Sequence, residues 1–171
     1  GSSFSLLGDN TLDFRNESDT TERAAPKRVG HFELLEVVGR GAFGTVWRAA
    51  DLELQRTVAV KIPRQDKLDL DDAEKFLREA RAAAQLHHPN IVAVHEVGRE
   101  DDVVYIVSDF VKGVTLSQWL SDRKVSTREA AKLAAKIADA LHHAHQAGVI
   151  HRDLKPSNVM LDVKDEPFIM D

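Results

Sequence analysis

The sequence contains no cysteine, and this absence excludes several kinds of chemistry at once. Its 171 residues offer no thiol for a disulfide, a zinc–thiolate site, an iron–sulfur cluster or a cysteine nucleophile. No apolar run reaches the roughly 18 residues that a transmembrane helix needs, so no membrane segment is predicted. The first residues lack both a basic start and a long apolar stretch, so they are not a secretory signal. Together these absences favour a cytoplasmic location.

A basic excess is absent as well. The chain has 23 Lys and Arg residues against 28 Asp and Glu residues, which gives a net charge of −5. Proteins that bind a phosphate backbone usually carry a basic surface, so no nucleic-acid partner is predicted. Hydrophobic residues make up 43% of the chain and charged residues 30%, so the chain as a whole can bury a core.

The first 30 residues differ from the rest of the chain in composition and in apolar patterning. They mix Ser, Thr, Asn and charges of both signs without a sustained apolar period, which predicts a flexible leader over 1–30. In the following half, the segments 31–38, 45–50, 58–62, 91–97 and 103–108 are typical of strands, and 70–86 is typical of a helix. This part of the sequence predicts a five-stranded, largely antiparallel sheet with one inserted helix.

The second half is predicted to be mainly helical. Possible capping boxes start at Thr115 and Ser126, because Gln118 and Glu129 follow three residues later. An apolar stripe of helical period follows the second box: Ala130, Leu133, Ala134, Ile137, Leu141 and Ala144. Two short strands are predicted over 159–161 and 168–170. The predicted fold class is therefore α+β.

A glycine-rich segment, GRGAFGTV over residues 39–46, follows the first predicted strand. Its three glycines would let backbone N–H groups fold over a phosphate chain with no side chains in the way. Because the segment continues into a strand, it differs from the strand-to-helix glycine turn of dinucleotide-binding folds. From this segment alone, a phosphate-binding loop and an ordinary glycine hairpin both remain open.

Lys61 stands at the end of the segment VAVK, on the third predicted strand. On a strand, Ala59 and Lys61 share one face, which suits a flat base lying on Ala59 and a phosphate reached by Lys61. Glu79, on the next helix, is a candidate partner for Lys61, because a carboxylate turned to the sheet needs a cation. Spacing alone leaves two alternatives open: a lysine reaching out from a sheet edge, and a solvated helix pair between Lys75 and Glu79.

The strongest chemical signal is the segment HRDLKPSN over residues 151–158. Asp153 can orient and deprotonate a hydroxyl, and Lys155 can neutralise a phosphoryl group in transfer. Asn158 can bind a metal ion through its carbonyl oxygen. Asp171, at the end of a predicted strand, supplies a second hard oxygen ligand.

Taken together, these segments resemble a protein kinase domain of the eukaryotic-like serine/threonine type found in bacteria. The glycine-rich loop, the VAVK strand, the helix with Glu79, the HPNI segment at 88–91 and the loop 151–158 occur in the family's order and at its usual spacing. The resemblance covers residues 31–171. It implies a five-stranded antiparallel N-lobe with one helix, followed by the start of a mainly helical C-lobe. The implied boundaries are 31–108 for the N-lobe, 109–112 for the hinge and 113–171 for the partial C-lobe.

The resemblance also implies the catalytic residues. Lys61, held by Glu79, would grip the α and β phosphates of ATP. Asp153 would orient the attacking hydroxyl, and Lys155 would offset charge on the γ-phosphate.

The resemblance assigns the remaining parts of the site as follows. Asn158 and Asp171 would hold Mg²⁺, and Arg152 would contact a phosphate on the activation segment. Ser108 would occupy the gatekeeper position just before the hinge. The residues implied to contact ATP are Val38, Gly39, Arg40, Gly41, Ala42, Phe43, Gly44, Thr45, Val46, Ala59, Lys61, Ser108, Asp109, Val111 and Met160.

The implied activity is ATP- and Mg²⁺-dependent phosphorylation of serine or threonine hydroxyls on protein substrates, with dimerisation of the parent protein as one route to activation. The chain stops at Asp171, before the Phe and Gly that follow this aspartate in the family. We therefore expect an incomplete domain that is inactive on its own.

Two alternatives are a pseudokinase-like nucleotide-binding or interaction module and a small-molecule kinase of the aminoglycoside-phosphotransferase type. The segment HRDLKP disfavours the second, because those enzymes usually carry a different loop.

Overall fold

The structure of the protein is a computed structural model that describes residues 28–41, 44–64 and 70–170, with the backbone alone at 70–72. The strands, in chain order, are β1 (Arg28–Val29), β2 (Phe32–Gly41), β3 (Gly44–Asp51), β4 (Arg56–Pro63), β5 (Val94–Glu100), β6 (Val103–Asp109), β7 (Gly113–Thr115), β8 (Val159–Asp162) and β9 (Pro167–Ile169). The helices are α1 (Leu70–Ala83), α2 (Leu116–Asp122) and α3 (Thr127–Gln146). Most of the predicted leader, residues 1–27, lies outside the described residues.

The first lobe is built on an antiparallel sheet with the strand order β1-β2-β3-β4-β6-β5. Five of these strands are the predicted ones, so the predicted sheet is confirmed, and β1 adds a two-residue strand at one edge. Arg28 and Val29 thus form a strand where the sequence predicts a flexible tail. The reason is burial, since Val29 pairs with Phe32 and only 2% of it is exposed.

The fourth predicted strand is displaced along the chain. It begins at Val94 rather than at residue 91 and extends to Glu100. Ile91 instead forms a parallel bridge with Ile169 of β9, which draws the segment before β5 towards the second lobe.

The core of the first lobe follows from the alternation of side chains along its strands. In β4, Val58 and Val60 are completely buried, whereas Ala59 and Lys61 are partly covered on the opposite face, as predicted. The other buried members of this core are Val29, Phe32, Leu34, Ala49, Tyr105 and Val107. Burial raises the pKa of Tyr105 to about 12, assisted by the Glu96 carboxylate, which accepts a hydrogen bond from the Tyr105 hydroxyl at 3.0 Å.

Helix α1 packs against β5 and β6 and buries Ala80. It ends at Ala83, three residues before the predicted end. The following N–H groups explain this difference, because Gln85 and Leu86 bond to the carbonyls of Ala82 and Ala83, three residues back. Such a tightened turn ends an α-helix.

The second lobe contains the sheet β7-β8-β9 together with α2 and α3. Both predicted capping boxes are present. The Thr115 hydroxyl accepts a hydrogen bond from the N–H of Gln118, whose side-chain oxygen accepts one from the N–H of Thr115. Ser126 and Glu129 make the same reciprocal pair at the start of α3. These local contacts set where each helix begins.

A second core lies between α2 and the β7-β8-β9 sheet, formed by Leu116, Trp119, Val159 and Leu161. The Trp119 indole N–H donates to Asp165 Oδ1 at 2.8 Å, so the one polar atom of this ring is satisfied. The guanidinium of Arg123 lies 4.2 Å from the centre of the Trp119 ring and also bonds Asp165. The start of the second lobe is therefore fixed by both apolar and polar contacts.

A short covalent connection and several non-covalent contacts join the lobes. In the covalent connection, β6 ends at Asp109 and β7 begins at Gly113. Among the non-covalent contacts, buried Asn90 donates through Nδ2 to Glu166 Oε1 and to the carbonyl of Pro167, both at 2.8 Å. None of the described helices is long and apolar enough to cross a membrane.

Candidate active site

The glycine-rich turn connects β2 to β3, with Gly41 opposite Gly44 in the hairpin register. Ala42 and Phe43, at its tip, lie outside the described residues. A Cβ on Gly44 would stand 2.3 Å from the carbonyl oxygen of Ile62, so this glycine is required by the close approach of β4. Among the described residues, no atom lies within 4 Å of the position that a Cβ on Gly41 would take.

The predicted nucleotide-facing residues of the sheet come together in register. Val46 of β3 lies opposite Lys61 of β4, and Ala59 of β4 lies opposite Ser108 of β6. Three neighbouring strands therefore bring these four side-chain positions to the middle of one sheet. The local cause is the alternation in β4 that turns Val58 and Val60 into the core.

The other predicted contacts among the described residues lie in β2, β3, β6, β8 and the connection between β6 and β7. Val38, Gly39, Arg40 and Gly41 end β2, while Gly44 and Thr45 begin β3. Asp109 ends β6, Val111 lies between β6 and β7, and Met160 lies in β8.

Glu79 has a partner that the sequence did not predict, since its Oε1 lies 3.5 Å from a guanidinium nitrogen of Arg152. The cause is the rotation of α1, which turns Ala80 into the core and leaves the Glu79 side chain 57% exposed. Arg152 reaches it from a left-handed backbone conformation, with φ of 63°. Helix α1 and the loop 151–158 are thus connected directly. The pairing of Glu79 with Lys61 stays a prediction.

The loop 151–158 brings two of its predicted functional side chains to the carboxylate of a third. Lys155 Nζ donates to Asp153 Oδ2 at 2.7 Å, and Asn158 Nδ2 donates to the same oxygen at 3.1 Å. Asn158 Nδ2 also bonds the Asp153 carbonyl at 2.9 Å. A short 3-10 turn over Pro156–Asn158 brings the amide back to the aspartate. The predicted grouping of Asp153, Lys155 and Asn158 is what the geometry shows.

These contacts hold the pKa of Asp153 below its usual value of 3.8, chiefly through the hydrogen bond from Lys155 and further through that from Asn158. The carboxylate is therefore ionised at neutral pH and can accept a hydrogen bond from a hydroxyl. A low pKa makes it a weak base, so this geometry favours orienting a nucleophile over strong proton abstraction.

His151 links the loop to the end of β9. Its Nδ1 accepts a hydrogen bond from the Asp153 N–H at 3.3 Å, so Nε2 carries the ring proton and donates to the Met170 carbonyl at 2.7 Å. The Met170 N–H donates to the Asn158 carbonyl at 2.9 Å. Residue 170 is therefore held against the loop. Asp171, the next residue and a predicted metal ligand, lies outside the described residues.

Asn158 fits a hard cation. Its amide nitrogen is occupied by Asp153, which fixes the amide plane and leaves the carbonyl oxygen Oδ1 for another ligand. Within the described ranges, no group of three His, Cys, Asp or Glu side chains is arranged to bind a metal. A cation held here would rely on oxygen donors such as that of Asn158.

A contact near the hinge was also not predicted from the sequence. His95 Nε2 lies 2.6 Å from Asp109 Oδ1, at the first residue of the predicted hinge. No motif marks His95, which falls inside a predicted strand. Its contact depends on the pairing of two strands and has no local signature.

Comparison with known proteins agrees with this geometry. The family model for the protein kinase domain matches residues 32–171. The serine/threonine-protein kinase PrkC of Bacillus subtilis is 40% identical over 139 residues, which cover 80% of this chain and 22% of PrkC. The serine/threonine-protein kinase PknB of Mycolicibacterium smegmatis is 40% identical over 146 residues, covering 82% of this chain and 23% of PknB. The chain thus spans less than a quarter of the length of these relatives.

Solved structures give the same result for the fold. The PknI kinase domain of Mycobacterium tuberculosis matches with a TM-score of 0.73 at 29% identity, over 83% of this chain and 59% of that chain. The apo form of PpkA-294 matches with a TM-score of 0.75 at 27% identity, over 84% of this chain and 59% of that chain. The predicted α+β architecture is confirmed by these neighbours.

Proposed function

Because this chain belongs to the protein kinase domain family, we propose that it is the ATP-binding and catalytic-loop portion of an enzyme that phosphorylates serine or threonine hydroxyls of proteins. The single observation that carries this proposal is the convergence of Lys155 and Asn158 on Asp153. One loop thus offers a carboxylate for a hydroxyl, a cation for a phosphoryl group and an amide oxygen for a metal ion.

In this proposal the chain contributes chiefly positioning and electrostatics. Asp153, ionised at neutral pH, accepts the hydrogen bond of the acceptor hydroxyl and aligns its oxygen with the γ-phosphorus of ATP. Lys155 remains within reach of the same centre and offsets negative charge on the phosphoryl oxygens. Mg²⁺, with Asn158 and Asp171 as its proposed ligands, neutralises charge on the phosphates when bound.

The nucleotide is proposed to lie against the middle of the first sheet. Ala59 of β4 lies opposite Ser108 of β6, and two residues further along β4 Lys61 lies opposite Val46 of β3. A flat adenine against small and branched side chains buries apolar surface, while the ammonium of Lys61 interacts with phosphate oxygens. The Gly39–Gly41 end of β2 supplies backbone N–H groups above the phosphates.

The names of the relatives support the proposed substrate class. PrkC and PknB are both named serine/threonine-protein kinases. The segment over 151–156 also resembles that of protein kinases and differs from the loop usual in small-molecule kinases.

A second candidate is a nucleotide-binding module without catalysis. The contact between Glu79 and Arg152 supports it, because a carboxylate engaged by an arginine is less available to the strand lysine with which it pairs during phosphoryl transfer in kinases. In that case the chain binds ATP but transfers no phosphoryl group.

Calorimetric titration of the 171-residue chain with Mg²⁺-ATP tests the nucleotide site. We expect wild type to bind and Lys61→Ala to lose at least about tenfold in affinity, since a charge-assisted contact to phosphate is worth roughly 1.5–3 kcal/mol. Lys124→Ala, on the exposed connection between α2 and α3, is the matched control and should bind as wild type does. Equal affinity of Lys61→Ala and wild type would contradict the assignment of Lys61.

A further inference from the structure

His95, which contacts Asp109, lies outside the set of residues that the proposed function uses. His95 Nε2 and Asp109 Oδ1 are 2.6 Å apart, and the His95 side chain is 24% exposed. A carboxylate has no proton to give, so Nε2 is the donor. Such a short bond to a charged acceptor is among the stronger contacts available to a neutral or cationic ring.

A β-bulge directs the His95 side chain towards the hinge. Val94 of β5 is opposite Ser108 of β6, yet Glu96 is opposite Val107, so two steps along β5 match one step along β6. His95 is the extra residue. A bulge re-aims the side chain it carries, and here the ring points along the sheet edge to the last residue of β6.

Asp109 is held from the same segment in a second way. Its N–H donates to the Ala93 carbonyl at 3.0 Å, two residues before His95. The segment that includes Ala93 is itself tied to the second lobe, because the Val92 N–H donates to the Ile169 carbonyl at 3.0 Å. His95 therefore couples the covalent connection between the lobes to the hydrogen-bonded one.

From this geometry we propose that His95 is a positioning residue for nucleotide binding: its Nε2–H fixes the Asp109 carboxylate and thereby the start of the hinge. The inference rests on the proposed function, since it assigns the hinge to the nucleotide site. Asp109 and Val111, the predicted hinge contacts to adenine, stand at and just beyond the point that His95 holds. Only residues 110–112 separate Asp109 from β7, so a shift of Asp109 moves the whole hinge.

Two isosteric substitutions separate the role of the Nε2 donor from general packing. Glutamine places its amide N–H near the position of the histidine Nε2, whereas asparagine is one methylene shorter and does not reach it. In calorimetric titration of the 171-residue chain with Mg²⁺-ATP, we expect His95→Gln to bind within about twofold of wild type. We expect His95→Asn to raise the Kd about three- to tenfold, the effect of losing a hydrogen bond to a charged group at a partly exposed site.

Further measurements distinguish this role from a structural one. In an Asp109→Ala background, His95→Asn should have no additional effect on the Kd, because the acceptor is already missing. Melting temperatures measured alongside should be similar for His95→Gln and His95→Asn. Equal Kd values for His95→Asn and wild type would overturn this inference and leave the proposed function standing. The inference would also be overturned if the effects of His95→Asn and Asp109→Ala on the Kd were additive. It would be overturned as well if the affinity loss of His95→Asn were accounted for by a lowered melting temperature. Failure of wild type to bind Mg²⁺-ATP would overturn the proposed function and this inference with it.

Discussion

Ser108 is a small side chain at the predicted gatekeeper position. It stands between Ala59 of β4 and Val94 of β5, in the strand that leads into the hinge. Its hydroxyl lies 3.5 Å from the Asp109 carbonyl, so the polar atom is directed along the chain. Serine leaves space at this position that a longer side chain would fill.

We expect Ser108→Met to exclude ligands that extend past the adenine position while sparing ATP itself. A bulky aromatic group on the exocyclic amine of an adenine analogue would bury surface beside Ser108, worth about 25 cal/mol per Å². About 55 Å² of such surface corresponds to roughly tenfold in affinity. Competition binding of one such analogue against Mg²⁺-ATP measures this effect in wild type and variant. If both proteins bind the analogue equally well, Ser108 does not control the space.

At the scale of elements, glycine positions decide how closely strands approach. Gly113 begins β7 directly after the hinge, where a Cβ would lie 1.8 Å from the backbone carbonyl oxygen of Leu161 in β8. Backbone atoms cannot move away from an added methyl group as easily as the end of a flexible side chain can. The pairing of β7 with β8, and with it the start of the second lobe, therefore requires glycine at this position.

We expect Gly113→Ala to lower the free energy of unfolding by about 1–3 kcal/mol, the usual cost of forcing extra atoms into a packed region. Gly41→Ala is the matched control, because no atom of the described residues lies within 4 Å of its Cβ position. Urea denaturation of the two variants and wild type measures the difference. An equal, small effect of both substitutions would show that β7 can move away from β8 without cost.

Elements that are determined by residues close together in the sequence could be predicted from it. The capping boxes at Thr115 and Ser126 and the loop 151–158 are contained within a few residues, and each forms as predicted. Strand β1 could not be predicted, because Val29 is buried by residues distant in sequence. The pairing of Glu79 with Arg152 depends on the rotation of α1, which tertiary packing decides.

At the scale of the whole molecule, Glu166 joins three parts of the chain. Its carboxylate accepts a hydrogen bond from Asn90, in the segment before β5, and bonds the ammonium of Lys136 on α3. These donors, Lys136 first, hold the pKa of Glu166 below its usual value of 4.5. A lowered pKa means that the folded state favours the charged carboxylate, so the stability it contributes is present above pH 4.5 and is lost as pH falls through the lowered value.

We therefore expect the difference in unfolding free energy between wild type and Glu166→Gln to be largest above pH 4.5 and to shrink at lower pH. Urea denaturation at a series of pH values between 7 and about 3 measures this difference. Glu74→Gln, on the exposed face of α1, is the control and should follow wild type at every pH. A constant difference between wild type and Glu166→Gln across the series would contradict the role of Glu166.

The most direct test of the central claim is transfer of the γ-phosphoryl group of ATP to a protein substrate by a kinase domain that carries these residues. The account predicts transfer to serine or threonine by wild type, and a loss of about 10²- to 10⁴-fold in kcat for Asp153→Asn with the fold retained. Asp122→Asn, an exposed aspartate at the end of α2, should leave the rate unchanged. A wild-type rate in Asp153→Asn would contradict the claim that the loop 151–158 carries the chemistry.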